Sequence, residues 1–153
     1  MNILLVYATN SGSTFEASNL ISADLTAKQH QVTVKNVQET KHPDLGNYDL
    51  VILGSPSWDF DGKEGYPHQD FNTFIDNVGN IAFPGKKFAV FGLGDSNYTF
   101  FCGAVDHLTK FVAQLQGQLV TEPLKIDQYY SDISANSQKV HDWVANSLLP
   151  KLQ

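Results

Sequence analysis

The chain holds a single cysteine, Cys102, among its 153 residues. No intrachain disulfide can form, and a reducing, cytoplasmic setting is expected. Positive charge is scarce: ten Lys and Arg stand against sixteen Asp and Glu, a formal net charge of −6. A nucleic-acid backbone and an anionic membrane surface both reward positive charge, so neither is expected as a partner. The acidic surplus suits a basic protein surface instead. No apolar run approaches membrane-spanning length. The first residues show no cationic region leading into a secretory apolar stretch and cleavage site, so a chain without a leader is the expectation. The histidines, His30, His42, His68, His107 and His141, are scattered without ligand spacing, which argues against a metal site. Repeats, low-complexity tracts and linkers are missing too. At this length one domain over residues 1–153, with a core of ordinary size, is expected.

What is present is an alternation of strand and helix signals. Residues 2–8 and 49–54 are short apolar runs, as in strands buried on both faces. Lys86 to Leu93 reads as a further strand, and Gln31 to Val37 as an alternating one. Leu119-Val120 and Leu124-Lys125-Ile126 flank Glu122-Pro123 and read as one interrupted edge strand, where a Pro is tolerable. Between them, Ala17, Leu20, Ile21 and Leu25 share a helical face. Phe71, Phe74, Ile75 and Val78 do the same, as do Val105, Leu108, Phe111, Val112 and Leu115, and finally Val140, Trp143, Val144 and Leu148. Residues 59–69, with Gly62, Gly65 and Pro67, read as a long loop. Five strands alternating with helices imply an α/β fold, a parallel sheet covered on both faces. Ligands of such sheets sit beyond the carboxyl ends of the strands. The loops 9–14, 54–68 and 93–102 therefore belong to one rim.

Each loop carries a chemical signal. Thr9-Asn10-Ser11-Gly12-Ser13-Thr14 joins the first strand to the first helix. Helix N-terminal N–H groups, hydroxyls and one Gly make a cradle for a phosphate. A plain Ser/Thr helix cap explains the same residues equally well. The loop contains no Lys or Arg, and it matches neither the three-glycine dinucleotide pattern nor the P-loop. In Gly54-Ser55-Pro56-Ser57-Trp58-Asp59, Trp58 stands at a strand's carboxyl end. It either covers a flat ligand or packs under the loop that follows. The run Gly92-Leu93-Gly94-Asp95-Ser96-Asn97-Tyr98-Thr99-Phe100-Phe101-Cys102-Gly103 is a backbone-rich turn that can offer N–H groups to a heterocycle edge. Tyr98 supplies a second planar group, while at least one of Phe100 and Phe101 is expected to pack at the helix start.

Together these loops, and the run Phe91 to Asp106 above all, resemble the flavodoxin family in its short-chain form. Leu124-Lys125-Ile126-Asp127 is similar to the family's last strand, and the long insertion of long-chain members is missing. The resemblance covers the whole chain. It implies a flavodoxin-like three-layer sandwich, with a five-stranded parallel sheet of order 2-1-3-4-5 and FMN at the point where strand order reverses. It further implies that Thr9, Asn10, Ser11, Gly12, Ser13 and Thr14 hold the FMN phosphate. Ser55, Pro56 and Ser57 would border the ribityl chain, and Trp58 and Tyr98 would flank the ring. Asp95 and Cys102 would give N–H groups to its pyrimidine edge, with Leu93, Gly94 and Phe101 nearby. Asp59 stands where many members carry Gly at the ring's N5 edge. In the family that backbone carbonyl flips to accept from the reduced flavin N5, and the positive φ the flip brings is costlier for Asp than for Gly, which should weaken stabilisation of the one-electron-reduced flavin.

The implied function is a low-potential electron carrier, passing electrons on non-covalent FMN from a flavodoxin/ferredoxin reductase-type donor to acceptor enzymes. Such a carrier is expected to be a monomer. Asp59, Asp61, Glu64, Asp95 and Asp127 lie on rim loops, where they would disfavour an anionic reduced ring and steer a basic partner. An FMN-dependent NAD(P)H or quinone reductase would need an open pocket over the ring, and Trp58 with Tyr98 argues against one. A phospho-receiver would need acids where Thr9-Asn10 and Ser55-Pro56 stand. An FMN protein dedicated to a single enzyme is a narrower form of the carrier reading.

Overall fold

A computed structural model describes all residues from Met1 to Gln153. The strands are β1 (Asn2–Tyr7), β2 (Gln31–Asn36), β3 (Leu50–Phe60), β4 (Lys63–Pro67), β5 (Lys87–Gly94), β6 (Gln118–Leu119) and β7 (Leu124–Asp127). The helices are α1 (Ser13–Ala27), α2 (Gln69–Asp76), α3 (Gly103–Gln114) and α4 (Ile133–Trp143). A π-turn, Val144–Leu148, and a 3-10 turn, Leu149–Lys151, continue α4. The parallel strands run β2-β1-β3-β5, and β6 and β7 then pair in turn with β5. Counting β6 and β7 as one edge strand broken at Thr121–Pro123, the order is the expected 2-1-3-4-5.

Alternation along the central strands sorts the core into two layers. Leu4, Val6, Val51, Leu53, Phe88 and Val90 face one side and meet Phe71 and Phe74 of α2 and Leu108, Phe111 and Val112 of α3. Ile3, Leu5, Leu50, Ile52, Ala89 and Phe91 face the other, against Ala17, Ile21 and Leu25 of α1 and Val140 and Trp143 of α4. Burial on both faces is why these strands are almost continuously apolar. Each fully buried Leu or Ile contributes roughly 1.5–3 kcal/mol relative to exposure.

One element departs from the sequence reading. Residues 59–69 are not a loop. Strand β3 runs on past the sheet to Phe60, turns at Asp61-Gly62 and returns antiparallel as β4, with Trp58 opposite Tyr66 and Phe60 opposite Lys63. Asp61 and Gly62 both have positive φ, 53° and 73°. That pair is the preferred two-residue hairpin connection, since its twist matches the strands it joins. The register slips between Trp58 and Phe60, placing Asp59 at the irregularity. Asp59 is not among the positive-φ residues.

Candidate functional site

The carboxyl ends of β1, β3, β5 and β7 open onto one rim. Strand order reverses there between β1 and β3, since β1 lies between β2 and β3. Two adjoining cavities occupy the rim. The larger, about 490 Å³, is walled by Trp58, Asp59, Glu64 and Gly65 of the hairpin and by Tyr98, Phe100 and Cys102 of the turn after β5. The smaller, about 380 Å³, is walled by Asn10, Ser11, Ser13, Pro56, Leu93 and the 128–131 turn. Ser57, Trp58, Gly94 and Asp95 line both, so the two form one groove.

At the narrow end, Gly12 begins α1 in the left-handed region, φ 95°, with no side chain capping the helix. The first N–H groups of α1 have no helical carbonyl to reach, so they stay available to an anion. Thr9 Oγ1 accepts from Gly12 N at 3.0 Å, which tightens the loop. Thr14 is fully buried, and its Oγ1 has no hydrogen-bond partner. Leaving a buried hydroxyl unpaired costs about 1–3 kcal/mol. An anion accepting that proton would recover the cost. Tyr130 Oη donates to the Ser11 carbonyl at 3.1 Å and lies over this end. Desolvation and then the charge of Glu16 push the Tyr130 phenol above its ordinary range.

At the wide end, Trp58 is 52% exposed and Tyr98 61%. Both are large flat side chains held out of the core. Phe100, 60% exposed, lines the same cavity, whereas Phe101 packs against the core and lines neither. The hairpin is fastened at three points to the turn after β5 and the start of α3. Glu64 Oε1 accepts from Thr99 N at 2.9 Å, and Ser57 Oγ accepts from Ala104 N at 3.0 Å. A Cβ on Gly103 would lie 2.4 Å from the Gly65 carbonyl, so only glycine permits that contact.

The turn after β5 is in turn fixed to the turn after β7. Asp127 accepts from Ser96 N and Oγ at 2.8 and 2.7 Å. Those bonds hold its carboxyl below the usual carboxylate range. Asp95 Oδ1 accepts from Asn97 N and from Gln128 Nε2. Cys102 adopts φ 50°, and its buried thiol, about 3.7 Å from the Gly92 and Ile126 carbonyls, is pushed up to about 12 by burial. The thiol is therefore packing, not a nucleophile.

The structure thus gathers Asn10, Ser11, Ser13, Pro56, Ser57, Trp58, Asp59, Leu93, Gly94, Asp95, Tyr98 and Cys102 onto the groove. Thr9, Gly12 and Thr14 complete the loop at its narrow end. Ser55 and Phe101 do not reach it. Ser55 is fully buried, and its hydroxyl is engaged with His68 N and the Pro56 carbonyl. Sequence reading placed Glu64 only among the rim charges, and did not place Gly65, Phe100, Gln128 and Ser131 on the walls. For Glu64 and Gly65 the Asp61-Gly62 hairpin signal was there to find them; for Phe100 and Gln128 no local signal exists.

The flavodoxin family model matches residues 5–137. A flavodoxin of Maridesulfovibrio salexigens is 38% identical over 126 residues, covering 81% of this chain and 84% of that one. The crystal structure of oxidised flavodoxin 2 from Bacillus cereus superposes with a TM-score of 0.84 at 34% identity, covering 95% of this chain and 96% of that one. The Fusobacterium nucleatum flavodoxin bound to flavin mononucleotide shares the fold, with a TM-score of 0.76 at 20% identity over 94% of this chain and 95% of that one.

Proposed function

The chain belongs to the flavodoxin family, and on that premise we propose that it binds FMN in the rim groove and works as a low-potential electron carrier, not an enzyme. The observation that carries this reading is the continuity of the groove. One end is an anion cradle with a buried, unpaired Thr14 hydroxyl, and the other is bounded by two exposed aromatics. That is the shape of a phosphate joined to a flat ring. FMN supplies the redox chemistry when bound, and the protein supplies position and electrostatics.

In this reading the 9–14 loop and the first turn of α1 hold the phosphate, with Ser13 and Thr14 donating. Pro56 and Ser57 border the linking chain. Trp58 and Tyr98 flank the ring, and the backbone around Asp95 and Cys102 meets its polar edge. Asp59, Glu64 and Asp95 on the walls disfavour added negative charge on the ring, which lowers its potential. No general base or nucleophile is required.

No helix is long and apolar enough to cross a membrane. A cytoplasmic monomer, built as one domain over residues 1–153, fits this role. It would take electrons from a flavodoxin/ferredoxin reductase-type donor and give them to acceptor enzymes. Titration of the flavin-free protein with FMN, followed by fluorescence, tests the proposal. It predicts quenching with one FMN per chain and no bleaching by NADPH alone. Absence of binding, or rapid bleaching by NADPH, would overturn it.

A further inference from the structure

The peptide between Ser11 and Gly12 is held from both edges. Its N–H, on Gly12, donates to Thr9 Oγ1 at 3.0 Å. Its carbonyl, on Ser11, accepts from Tyr130 Oη at 3.1 Å across 119 positions of sequence. A peptide group is planar, with N–H and C=O pointing in opposite directions. Bonds at both edges therefore fix its rotation. Were it to turn over, both bonds would be lost and the entry to α1 would lose its fixed geometry.

The tyrosine is itself firmly placed. Its ring meets that of the buried Tyr129 edge-on, 5.5 Å between centroids at 80°. The turn that carries it is tied down by Asn136 Nδ2, which lies 3.1–3.3 Å from the carbonyls of Asp127, Gln128 and Tyr129. Gln128 N donates to the Gly94 carbonyl at 2.8 Å. The phenol oxygen would lie 3.4 Å from a Cβ on Gly12, so it closes directly over the start of α1.

We propose that Tyr130 is a positioning residue for the phosphate cradle, a latch that locks the Ser11–Gly12 peptide in the orientation set by its two bonds. The proposal rests on the FMN reading given above. Tyr130 lends no charge to the ligand; it preorganises the backbone, so that binding spends less free energy on ordering the loop.

The test is Tyr130→Phe, which keeps the ring and removes the donor. FMN and riboflavin affinities of the flavin-free wild type and variant are compared, with thermal melting as the check on folding. Loss of one hydrogen bond predicts an FMN Kd raised about five- to tenfold. Riboflavin lacks the phosphate, and its Kd should hold within about twofold. Unchanged FMN binding, or equal losses for FMN and riboflavin, would overturn the latch. Should the wild type bind neither flavin, the FMN reading fails instead. Amide exchange at Gly12 then decides the latch: faster exchange in Tyr130→Phe supports it, and unchanged exchange refutes it.

Discussion

The two ends of the groove are built on opposite plans. The narrow end is built mainly of backbone: a half-buried, left-handed Gly12, helix N–H groups, the hidden Thr14 hydroxyl and bonds from Thr9 and Tyr130. The wide end is exposed side chain: Trp58, Tyr98 and Phe100 standing in solvent, with Asp59, Glu64 and Asp95 on its walls. A site meant to grip needs rigid dipoles and little else. A site meant to exchange electrons with another protein needs its ring near the surface. On the proposed function, anchoring falls to one end and exchange to the other.

Substitutions at the two ends should separate in their effect on FMN and riboflavin. The largest effect is expected for Gly12→Val. A branched side chain at φ 95° meets both backbone strain and the Tyr130 phenol. At about 2 kcal/mol, FMN binding should weaken ~30-fold in a fluorescence titration, while riboflavin binding changes little. Trp58→Ala should weaken both flavins alike, by about tenfold, through lost ring contact and burial. Loss of FMN binding alone in that variant would break the division between the ends.

A smaller effect is expected at the attachment of the hairpin. Glu64→Ala removes the acceptor for Thr99 N and frees the hairpin from the turn after β5. One such bond contributes about 1 kcal/mol, so calorimetry should show a melting temperature roughly 2–4 °C lower. The smallest effect is a pH dependence. The Asp127 carboxyl is held low by its bonds from Ser96. Its contribution is fully present above the ordinary carboxylate pKa and fades as pH falls through the lowered one. Protection of the Ser96 amide, measured against its intrinsic exchange rate at each pH, should therefore fall at acid pH in the wild type, and already be low at neutral pH in Asp127→Asn.

Much of this architecture was legible in local pattern. The apolar runs of β1, β3 and β5 announce strands buried on both faces, whereas the hydroxyls and Gly12 of the loop after β1 fit an anion cradle and a plain helix cap alike, and α1 has no side-chain cap. The broken edge strand was equally plain from Glu122-Pro123. The hairpin was hidden because Pro56, Gly62, Gly65 and Pro67 read as loop punctuation, and because its aromatics serve the rim and not the core. Asp61-Gly62 between Phe60 and Lys63 was the available signal. Other features are nonlocal and leave no trace in sequence spacing. Tyr130 reaches Ser11, and Glu64 reaches Thr99, only once the sheet brings the loops together. Nor does sequence reveal that Phe100 faces the cavity and Phe101 the core, or that the hydroxyl of Ser55 is already engaged.

The carrier reading is tested most directly by stopped-flow oxidation. FMN-loaded protein, reduced chemically beforehand, is mixed with cytochrome c, a basic one-electron acceptor. Acidic residues at an exposed ring edge predict rapid oxidation that slows as ionic strength rises and the attraction is screened. Oxidation too slow to distinguish from that of free reduced FMN, or a rate indifferent to salt, would contradict the assignment of electron exchange to the wide, acidic end of the groove.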